Sequence, residues 1–331
     1  MTNDALKGTT MKRIPSRTLL GTAAGTLALA ALLTGCSGSG AASEPASGAS
    51  GSTGGSIIPD NSALLEGVKV DESLAGMVPA AISDDGALTV GSYVQSPPNN
   101  FFAEDGTTVI GNDHDLITAV AKKLGLDVKY ENLEFQALIT SLQTGRVETT
   151  IAAMNDSAER QEAIDFVDYL TSGITLMVQK GNPAGITGPD TLCGKAIAVV
   201  TGTSQQEFAQ RTSDECTSGG EDAVKIVVTD SDSQNQTQLR TGRIDAIVND
   251  LPTAVYVSKT TKNGEAFEVV PGDVIDGAPY GIGVNKENPE LRDAIAGALD
   301  ALIADGTYSE ILDSWGVTDG AVDAATVNGG V

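Results

Sequence analysis

The chain has 331 residues, enough for one large domain or two of ordinary size. Hydrophobic residues make up 40% and aromatic residues 4%, and 38 glycines indicate a folded protein with many turns. Asp and Glu outnumber Lys and Arg by 44 to 20, and the formal charge of -24 argues against nucleic acid as a partner. One histidine and three cysteines leave little material for a zinc site or a histidine-based catalytic triad, so we expect no metal and no cofactor.

Residues 1–35 have the pattern of a secretory signal peptide. Basic residues precede an apolar run at residues 19–33, which is interrupted by glycine and threonine and is short for a membrane span. The run ends in LTGC at residues 33–36, which resembles the bacterial lipobox. This resemblance implies cleavage before Cys36 and attachment of acyl chains such as palmitate, which would anchor the mature protein to the outer face of the cell membrane. The alternative is an ordinary signal peptide followed by an incidental cysteine.

Two segments separate this leader from the first regular pattern. Residues 36–60 are rich in Gly, Ser and Ala and are expected to form a flexible linker. Residues 61–87 are a pre-domain segment. At the other end of the chain, residues 318–331 are expected to form a loose tail.

From Leu88 to Ala153, short β-rich runs alternate with amphipathic helical patterns. Asp113 is the expected N-cap of the first helix, and Gly125 is the residue that ends it. Strands are predicted at 88–90, 126–130 and 147–153, and helices at 113–124 and 135–142.

The same scheme occurs again in the second half of the chain. The segment Leu142–Glu148 (LQTGRVE) closely matches Leu239–Asp245 (LRTGRID), and both copies join a helix to a strand through a glycine. Strands are predicted at 196–200, 224–228, 244–249 and 280–285, and helices at 204–211, 232–241, 289–305 and 308–315. Alternating strands and helices predict an α/β fold with mostly parallel sheets, and two copies predict two lobes of similar build.

Cys193 and Cys216 remain once Cys36 is assigned to a lipid. Exported proteins fold in an oxidising compartment, so these two cysteines are expected to form one disulfide, worth about 3 kcal/mol in the loop-entropy model. The alternative is two buried thiols.

In open α/β sheets, ligands bind beyond the carboxyl ends of the strands. The loops at these positions are 93–100, 153–160, 201–205 and 249–251. Arg160 has a planar fork that suits a carboxylate, although it could instead pair with acidic neighbours on a helix face. Residues 201–205 lack the ending of a phosphate loop and suit a carboxylate better; the hydroxyls of Thr203 and Ser204 would add to this site or serve only as N-caps. Asp250 suits an ammonium group, and it could also cap the helix that begins near Pro252.

These loops and two further motifs resemble the polar amino-acid-binding proteins that serve bacterial ABC importers, a family with the type II periplasmic-binding-protein fold. The resemblance extends from Leu88 to about Val317. It rests on GNDHDL at 111–116, on the segment 154–160 that ends in Arg160, on Gly202-Thr203-Ser204, on Asp250, and on DGTY at 305–308 together with Trp315-Gly316.

The resemblance implies a two-lobed clamp with two mixed, mostly parallel sheets joined by a two-strand hinge. The first lobe would comprise 88–172 and 280–317, and the second lobe 173–279. Arg160 and nearby N–H groups would hold the α-carboxylate of an amino acid or a derivative, and Asp250 its α-ammonium. A monomer would deliver this ligand to the transmembrane permease subunits of an importer. The other expected ligand contacts are Tyr93, Ser96, Phe135, Ala153, Asn155, Thr203, Ser204 and Gln205.

Several positions depart from the family pattern or have a second interpretation. Asn112 and Asn155 replace an aromatic residue and a hydroxyl residue, respectively. Tyr93 replaces an acidic residue of binders of cationic amino acids, and Ser96 replaces an aromatic residue, which weakens the case for lysine or arginine as ligand. Phe135 could stack on the ligand or belong to the core.

The two residue types that occur once are expected to be structural. His114 is expected at a surface or cap position, and Trp315 in the core.

Two other functional classes agree less well with the sequence. A dehydratase-like enzyme on this scaffold would need a proton-transfer group in the cleft, and Asp156 and Glu159, the nearest candidates, form no obvious dyad. A structural surface lipoprotein would leave Arg160 and Asp250 unexplained at cleft positions.

Overall fold

The computed structural model describes residues 58–331. A long antiparallel pair of strands runs through the middle of this part of the chain. The predicted signal peptide, Cys36 and nearly all of the predicted linker lie outside the described residues. The described part belongs to a single compact unit. No helix within it has both the length and the apolar character needed to cross a membrane.

The helices and strands follow one another in chain order as follows. The helices are α1 (Ser62–Gly67), α2 (Glu72–Ala75), α3 (Ala80–Ser83), α4 (Asn112–Lys123), α5 (Leu138–Gln143), α6 (Ala158–Gln161), α7 (Ser204–Ser218), α8 (Asp232–Arg240), α9 (Leu251–Thr260), α10 (Pro289–Asp305) and α11 (Thr307–Trp315). The strands are β1 (Ala87–Ser92), β2 (Phe101–Phe102), β3 (Val109–Ile110), β4 (Asp127–Asn132), β5 (Thr149–Thr150), β6 (Asp165–Gln179), β7 (Ala196–Val200), β8 (Lys225–Thr229), β9 (Ala246–Asp250), β10 (Phe267–Val269), β11 (Ile275–Val284) and β12 (Thr326–Val327).

Ten of these strands form one mixed sheet in the order β4-β1-β5-β11-β6-β9-β7-β8, with β10 and β12 also paired to β6. We call the half that contains β4, β1 and β5 the first lobe, and the half that contains β9, β7 and β8 the second lobe. Pairing within each of these two sets is parallel. The predicted α/β fold with mostly parallel pairing in each lobe is confirmed, but the two expected sheets are continuous with each other through β11 and β6.

Strand β6 connects the two lobes. Its first half pairs with β11, and from Ile174 its second half pairs with β9. The change occurs near Gly173, where a Cβ atom would lie 2.8 Å from the carbonyl oxygen of Ile275, so this close approach of β11 requires glycine. The register of β6 with β11 shifts at the same level, between Ile275 and Ala278. The two strands are therefore irregular where they pass from one lobe to the other.

Helices cover both faces of the sheet in each lobe. In the first lobe, α4, α10 and α11 pack on one face and α5 on the other, which buries Ile117, Leu299 and Leu138 completely. In the second lobe, α7 covers one face, and α8 and α9 cover the other. Trp315 belongs to the first-lobe core as expected, and its indole nitrogen donates to Asp115 at 2.7 Å. His114 is half-buried beside Tyr130, consistent with a structural role.

The repeated segment forms the same turn in both lobes. Gly145 ends α5 before β5 with φ of 70°, and Gly242 ends α8 before β9 with φ of 68°. Left-handed backbone of this kind is accessible to glycine without steric cost. The local echo in the sequence therefore correctly predicts two helix-to-strand units.

The disulfide between Cys193 and Cys216 is confirmed. Their sulfur atoms are bonded, and their Cα atoms lie 5.6 Å apart. The bond ties the segment before β7 to the last turn of α7, which extends to Ser218 rather than ending at Arg211. The polar residues of this extension carry no helical periodicity, so the sequence pattern did not predict it.

Two other expectations are wrong in detail. Gly111 rather than Asp113 is the N-cap of α4. This position requires glycine because the chain at Asn99 approaches so closely that a Cβ at position 111 would lie 2.0 Å from a carbonyl oxygen. Asp113 lies within the first turn. The expected strand at 147–153 is reduced to β5 because the chain turns at Ala153, where φ is 48°.

The C-terminal tail is not loose. Its strand β12 pairs with Val167 and Asp168 of β6. Beyond β12, the N–H of Gly330 donates to Asp156 at 2.8 Å, and the amide of Gln161 donates to the Gly330 carbonyl at 3.0 Å. The tail therefore covers an edge of the first-lobe sheet and holds the segment that leads into α6.

Replacing Gly330 with alanine should detach the end of the tail, because the added Cβ would lie 1.9 Å from the carbonyl oxygen of Asp156. Loss of two hydrogen bonds should cost about 1–2 kcal/mol and lower the Tm by roughly 2–8 °C. Val331→Ala is the matched control because Val331 is fully exposed. Differential scanning calorimetry measures the shift, and an unchanged Tm in Gly330→Ala would contradict this account of the tail.

Candidate functional site

The carboxyl ends of strands from both lobes surround one cavity. Its space amounts to about 440 Å³, solvent at the mouth included, which is in the range of pockets for small molecules. Every predicted ligand contact except Arg160 lines it. The lining residues are Tyr93, Ser96, Phe135, Ala152, Ala153, Asn155, Val200, Thr203, Ser204, Gln205, Asp232, Val248, Asn249 and Asp250.

Arg160 lies at the edge of this cavity, on the short helix α6. One guanidinium nitrogen donates to the Asn155 carbonyl at 3.0 Å, and another donates to the Gly202 carbonyl of the second lobe at 3.2 Å. The guanidinium carbon lies 5.6 Å from the centre of the Phe135 ring. Burial lowers the pKa of Arg160, and nearby carboxylates partly offset this effect. The alternative ion pairs with Glu159, Glu162 or Asp165 are not formed.

Phe135 lies between the cavity and the first-lobe core. The side chain lines the cavity and packs against the core cluster that contains Leu138 and Phe166. It also contacts Tyr93 edge-to-face, with ring centres 6.2 Å apart. Tyr93 and Phe135 therefore form an aromatic wall of the cavity.

The loop between β7 and α7 presents the start of a helix of 15 residues to the cavity. Thr203 is the N-cap; its hydroxyl accepts the Gln206 N–H and donates to the Val200 carbonyl at 2.7 Å. Ser204 donates its hydroxyl proton to the Asn155 side chain across the cavity at 2.8 Å. Unpaired N–H groups at a helix start favour an anion. Thr203 therefore serves as the N-cap of α7, while Ser204 faces the first lobe.

Asp250 ends β9, and its carboxylate faces the cavity. Gln205 donates to its Oδ1 at 2.8 Å. Asp250 occupies the N-cap position of α9, but its side chain accepts no capping hydrogen bond, so the alternative role as a cap is not supported. Burial raises the pKa of Asp250 to about 7; the charge of Asp232 adds to this rise, while Tyr280 and Arg160 oppose it.

Asp232 is a second carboxylate in the cavity, and no sequence motif indicated a function for it. Asp232 is the first residue of α8, and only 4% of its surface is exposed. The side-chain amide of Asn249 donates to its Oδ1 at 3.2 Å. Burial raises its pKa to about 6. Its position directly after β8, at a predicted strand end, was the signal that could have identified it.

Further contacts across the cavity join the two lobes. The Tyr93 hydroxyl donates to the Asp230 carbonyl and accepts the N–H of Asp232, both at 3.2 Å. The hydroxyls of Ser96 and Thr253 share a hydrogen bond of 3.1 Å. Together with the contacts of Arg160 and Ser204, these bonds show that the described conformation is closed.

Asp113 positions one wall of the cavity without lining it. Its carboxylate accepts the N–H of Ala153 at 2.9 Å and the hydroxyl of Tyr169 at 2.8 Å. Ala153 has a positive φ, which is strained for alanine and needs support from its surroundings. Burial raises the pKa of Asp113 to about 6. This buried acceptor holds the turn that carries Ala153 and Asn155.

One cluster in the described part of the chain has the spacing of metal ligands, namely Cys193, Cys216 and Glu221. Its sulfur atoms are bonded to each other and offer no thiolate, the form that binds metal ions.

Residues 88–318 match the model of the bacterial extracellular solute-binding proteins, family 3. The arginine-binding protein ArgT of Corynebacterium glutamicum is 30% identical over 77% of this chain and 82% of its own length. The L-cystine-binding protein TcyJ of Escherichia coli K12 is 30% identical over 76% of this chain and 91% of its own length.

A solved structure shows the same architecture. It is an ancestral arginine-binding protein bound to arginine, 34% identical, with a TM-score of 0.64 over 70% of this chain and 98% of its own. The predicted two-lobed periplasmic-binding-protein fold is thereby confirmed. The match of the family model to most of the chain, supported by these relatives, means that the protein belongs to the bacterial extracellular solute-binding proteins, family 3.

Proposed function

We propose that this protein captures an α-amino acid in its cavity outside the cell and delivers it to the permease of an ABC importer. Arg160 binds the α-carboxylate, and Asp250 binds the α-ammonium. The observation that carries the proposal is that these opposite charges are both half-buried at one cavity and that neither forms an ion pair within residues 58–331. Buried charges of this kind need a partner.

The carboxylate end of the ligand lies between Arg160 and the start of α7. Arginine has five N–H donors, and the carbonyls of Asn155 and Gly202 use two of them. The remaining guanidinium donors and the N–H groups at the helix start provide a set of hydrogen-bond donors for one anion.

The ammonium end lies at Asp250. Gln205 donates to one carboxylate oxygen of Asp250 and fixes its orientation, which leaves the other oxygen for the ligand. The ammonium group of the ligand stabilises the ionised form of Asp250. Without the ligand, burial disfavours this ionised form.

The comparisons support an amino acid as the ligand. One relative is named as an arginine-binding protein and another as a cystine-binding protein, and both compounds are α-amino acids. Other relatives are named as arginine-binding proteins of ABC transporters.

Capture proceeds by closure of the two lobes. We place the lobe boundaries at 88–172 with 280–317, and at 173–279, so that the chain crosses between the lobes near Gly173 and again near Tyr280. The irregular pairing of β6 with β11 at this level supports a hinge there. The contacts that join the lobes around the cavity then form only in the closed state.

The protein acts at the outer face of the membrane. In this proposal Cys36 carries the lipid, and residues 36–60 form a linker with a typical reach of roughly 25–30 Å. The lipobox-like sequence supports the anchor. The protein works as a monomer that docks on the transmembrane subunits of its importer.

A dehydratase-like enzyme is the weaker alternative. Asp156, one proton-transfer candidate, accepts hydrogen bonds from Gly330 and Gln161, and Glu159, the other, is exposed on α6. Neither lines the cavity. The family and the two relatives described above are binding proteins, which supports a role without catalysis.

Arg160→Ala should abolish binding while the protein stays folded. Charge-assisted hydrogen bonds contribute roughly 1.5–3 kcal/mol each, so losing two should weaken binding by roughly 100-fold or more. A thermal-shift screen against L-amino acids, sugars and short peptides identifies the ligand, and calorimetry measures its Kd. Arg146→Ala is the matched control because Arg146 pairs with Glu131 on the surface. Unchanged affinity in Arg160→Ala would refute the assignment.

Asp250→Asn should stabilise the empty protein and abolish binding. The unfolded carboxyl has a pKa near 3.8 and the folded one about 7, so above pH 7 the folded state contains a buried charge that disfavours folding. Removing this charge should raise the free energy of unfolding at pH 8 by roughly 2–4 kcal/mol, with little effect at pH 4, which is close to the unfolded pKa and well below the folded one.

Denaturant unfolding at pH 8 and pH 4 tests this change. Asp127→Asn, on the exposed face of β4, is the control and should leave the stability unchanged. Equal stability of Asp250→Asn and the unmodified protein at pH 8 would contradict a buried, unpaired carboxylate.

Affinity should fall as the pH falls. The α-ammonium of the ligand pairs with Asp250 only when this carboxyl is ionised, and without ligand the pKa of Asp250 is about 7. The Kd should therefore rise about tenfold for each pH unit below 7. Isothermal titration between pH 8 and pH 5 measures this trend. A Kd that stays constant over this range would show that no such carboxylate binds the ligand.

A further inference from the structure

Asp232 supplies the cavity with a negative charge that an ordinary α-amino acid does not use. Its carboxylate lines the cavity at the start of α8, and it is nearly completely buried. The side chain accepts one hydrogen bond, from Asn249 to Oδ1. In the described part of the chain, no Lys, Arg or His forms an ion pair with it.

The charges at the cavity do not balance for a ligand with a neutral side chain. Arg160 carries one positive charge, and Asp250 and Asp232 carry two negative charges. A zwitterionic ligand satisfies Arg160 and Asp250 and leaves Asp232 buried without a cation. A buried carboxylate without a cation is unfavourable even with one amide donor.

The surroundings of Asp232 are those of a side-chain subsite. Tyr93 contacts the backbone of Asp232 through its hydroxyl. Ser96 is a further polar group on this cavity, and Phe135 packs against the Tyr93 ring. A ligand side chain with an apolar stem and a charged end matches an aromatic wall next to a carboxylate.

We propose that Asp232 binds a second cationic group of the ligand, so that this site selects α-amino acids with two positive charges. The inference rests on the proposed function and names its substrate class: basic amino acids and diamino acids. The start of α8 favours the negative charge of Asp232, and the second cation of the ligand completes its pairing.

The experiment compares charged ligands with neutral ligands of the same shape. L-Arginine and L-citrulline differ mainly in the charge at the end of the side chain, and L-ornithine and L-glutamine form a second pair of similar length. The full chain, purified in detergent, is titrated with each at pH 8. The unmodified protein should bind arginine at least tenfold more tightly than citrulline.

Asp232→Asn should remove this preference. The variant keeps the shape of the side chain and loses its charge, so arginine should lose 10-fold to 100-fold in affinity, whereas citrulline should bind equally well or better. Asp222→Asn is the matched control because Asp222 lies in the same lobe, is exposed and does not line the cavity. The control should keep the arginine-to-citrulline ratio of the unmodified protein.

A second measurement needs no variant. At pH 6, binding of arginine should release more protons than binding of citrulline, because the second cation holds Asp232 ionised. Titration in buffers of different ionisation enthalpy counts these protons. Equal release for both ligands would overturn the proposal.

The outcomes separate this inference from the proposed function. If Arg160→Ala abolishes binding of every ligand but Asp232→Asn keeps the original ratio, the amino-acid site stands and the role of Asp232 is refuted. If the unmodified protein binds neutral ligands as tightly as charged ones, the role of Asp232 is also refuted. If it binds no α-amino acid, the proposed function fails and this inference fails with it.

Discussion

Burial of charge without a partner is the constraint on which this binding site depends. Arg160, Asp250 and Asp232 surround one cavity, and none of them forms an ion pair within residues 58–331. Removing such groups from water disfavours their charged forms, as the raised pKa values of both carboxyls indicate. The protein thereby gives up stability in the empty state, and a ligand of opposite charge restores it on binding.

The rest of the fold holds these groups in place. Strand ends from both lobes deliver the polar residues, so that lobe closure brings Arg160 to Gly202 and Ser204 to Asn155. Behind the first-lobe wall, Asp113 accepts hydrogen bonds from Ala153 and Tyr169 and supports a strained turn. Rigid support of this kind fixes the geometry of a ligand site.

Much of this architecture could be predicted from the sequence because it is local. The repeated helix-glycine-strand segments have short-range signals, and the structure contains both of them. The disulfide followed from compartment and cysteine count. The site loops followed from their positions at strand ends.

What could not be predicted depends on contacts between distant parts of the chain. Asp113 resembles an N-cap in sequence, but its role comes from Ala153 and Tyr169, 40 and 56 positions away. The tail finds its partners in β6, far back along the chain. In the sequence, position 93 has tyrosine where binders of cationic amino acids have an acidic residue. The second carboxylate of the cavity comes instead from Asp232 in the other lobe.

A crystal structure of the protein with its bound amino acid tests the account most directly. It should show the ligand α-carboxylate within hydrogen-bond distance of the Arg160 guanidinium and the α-ammonium at Asp250; a ligand in the reverse orientation, or one bound away from both residues, would contradict it.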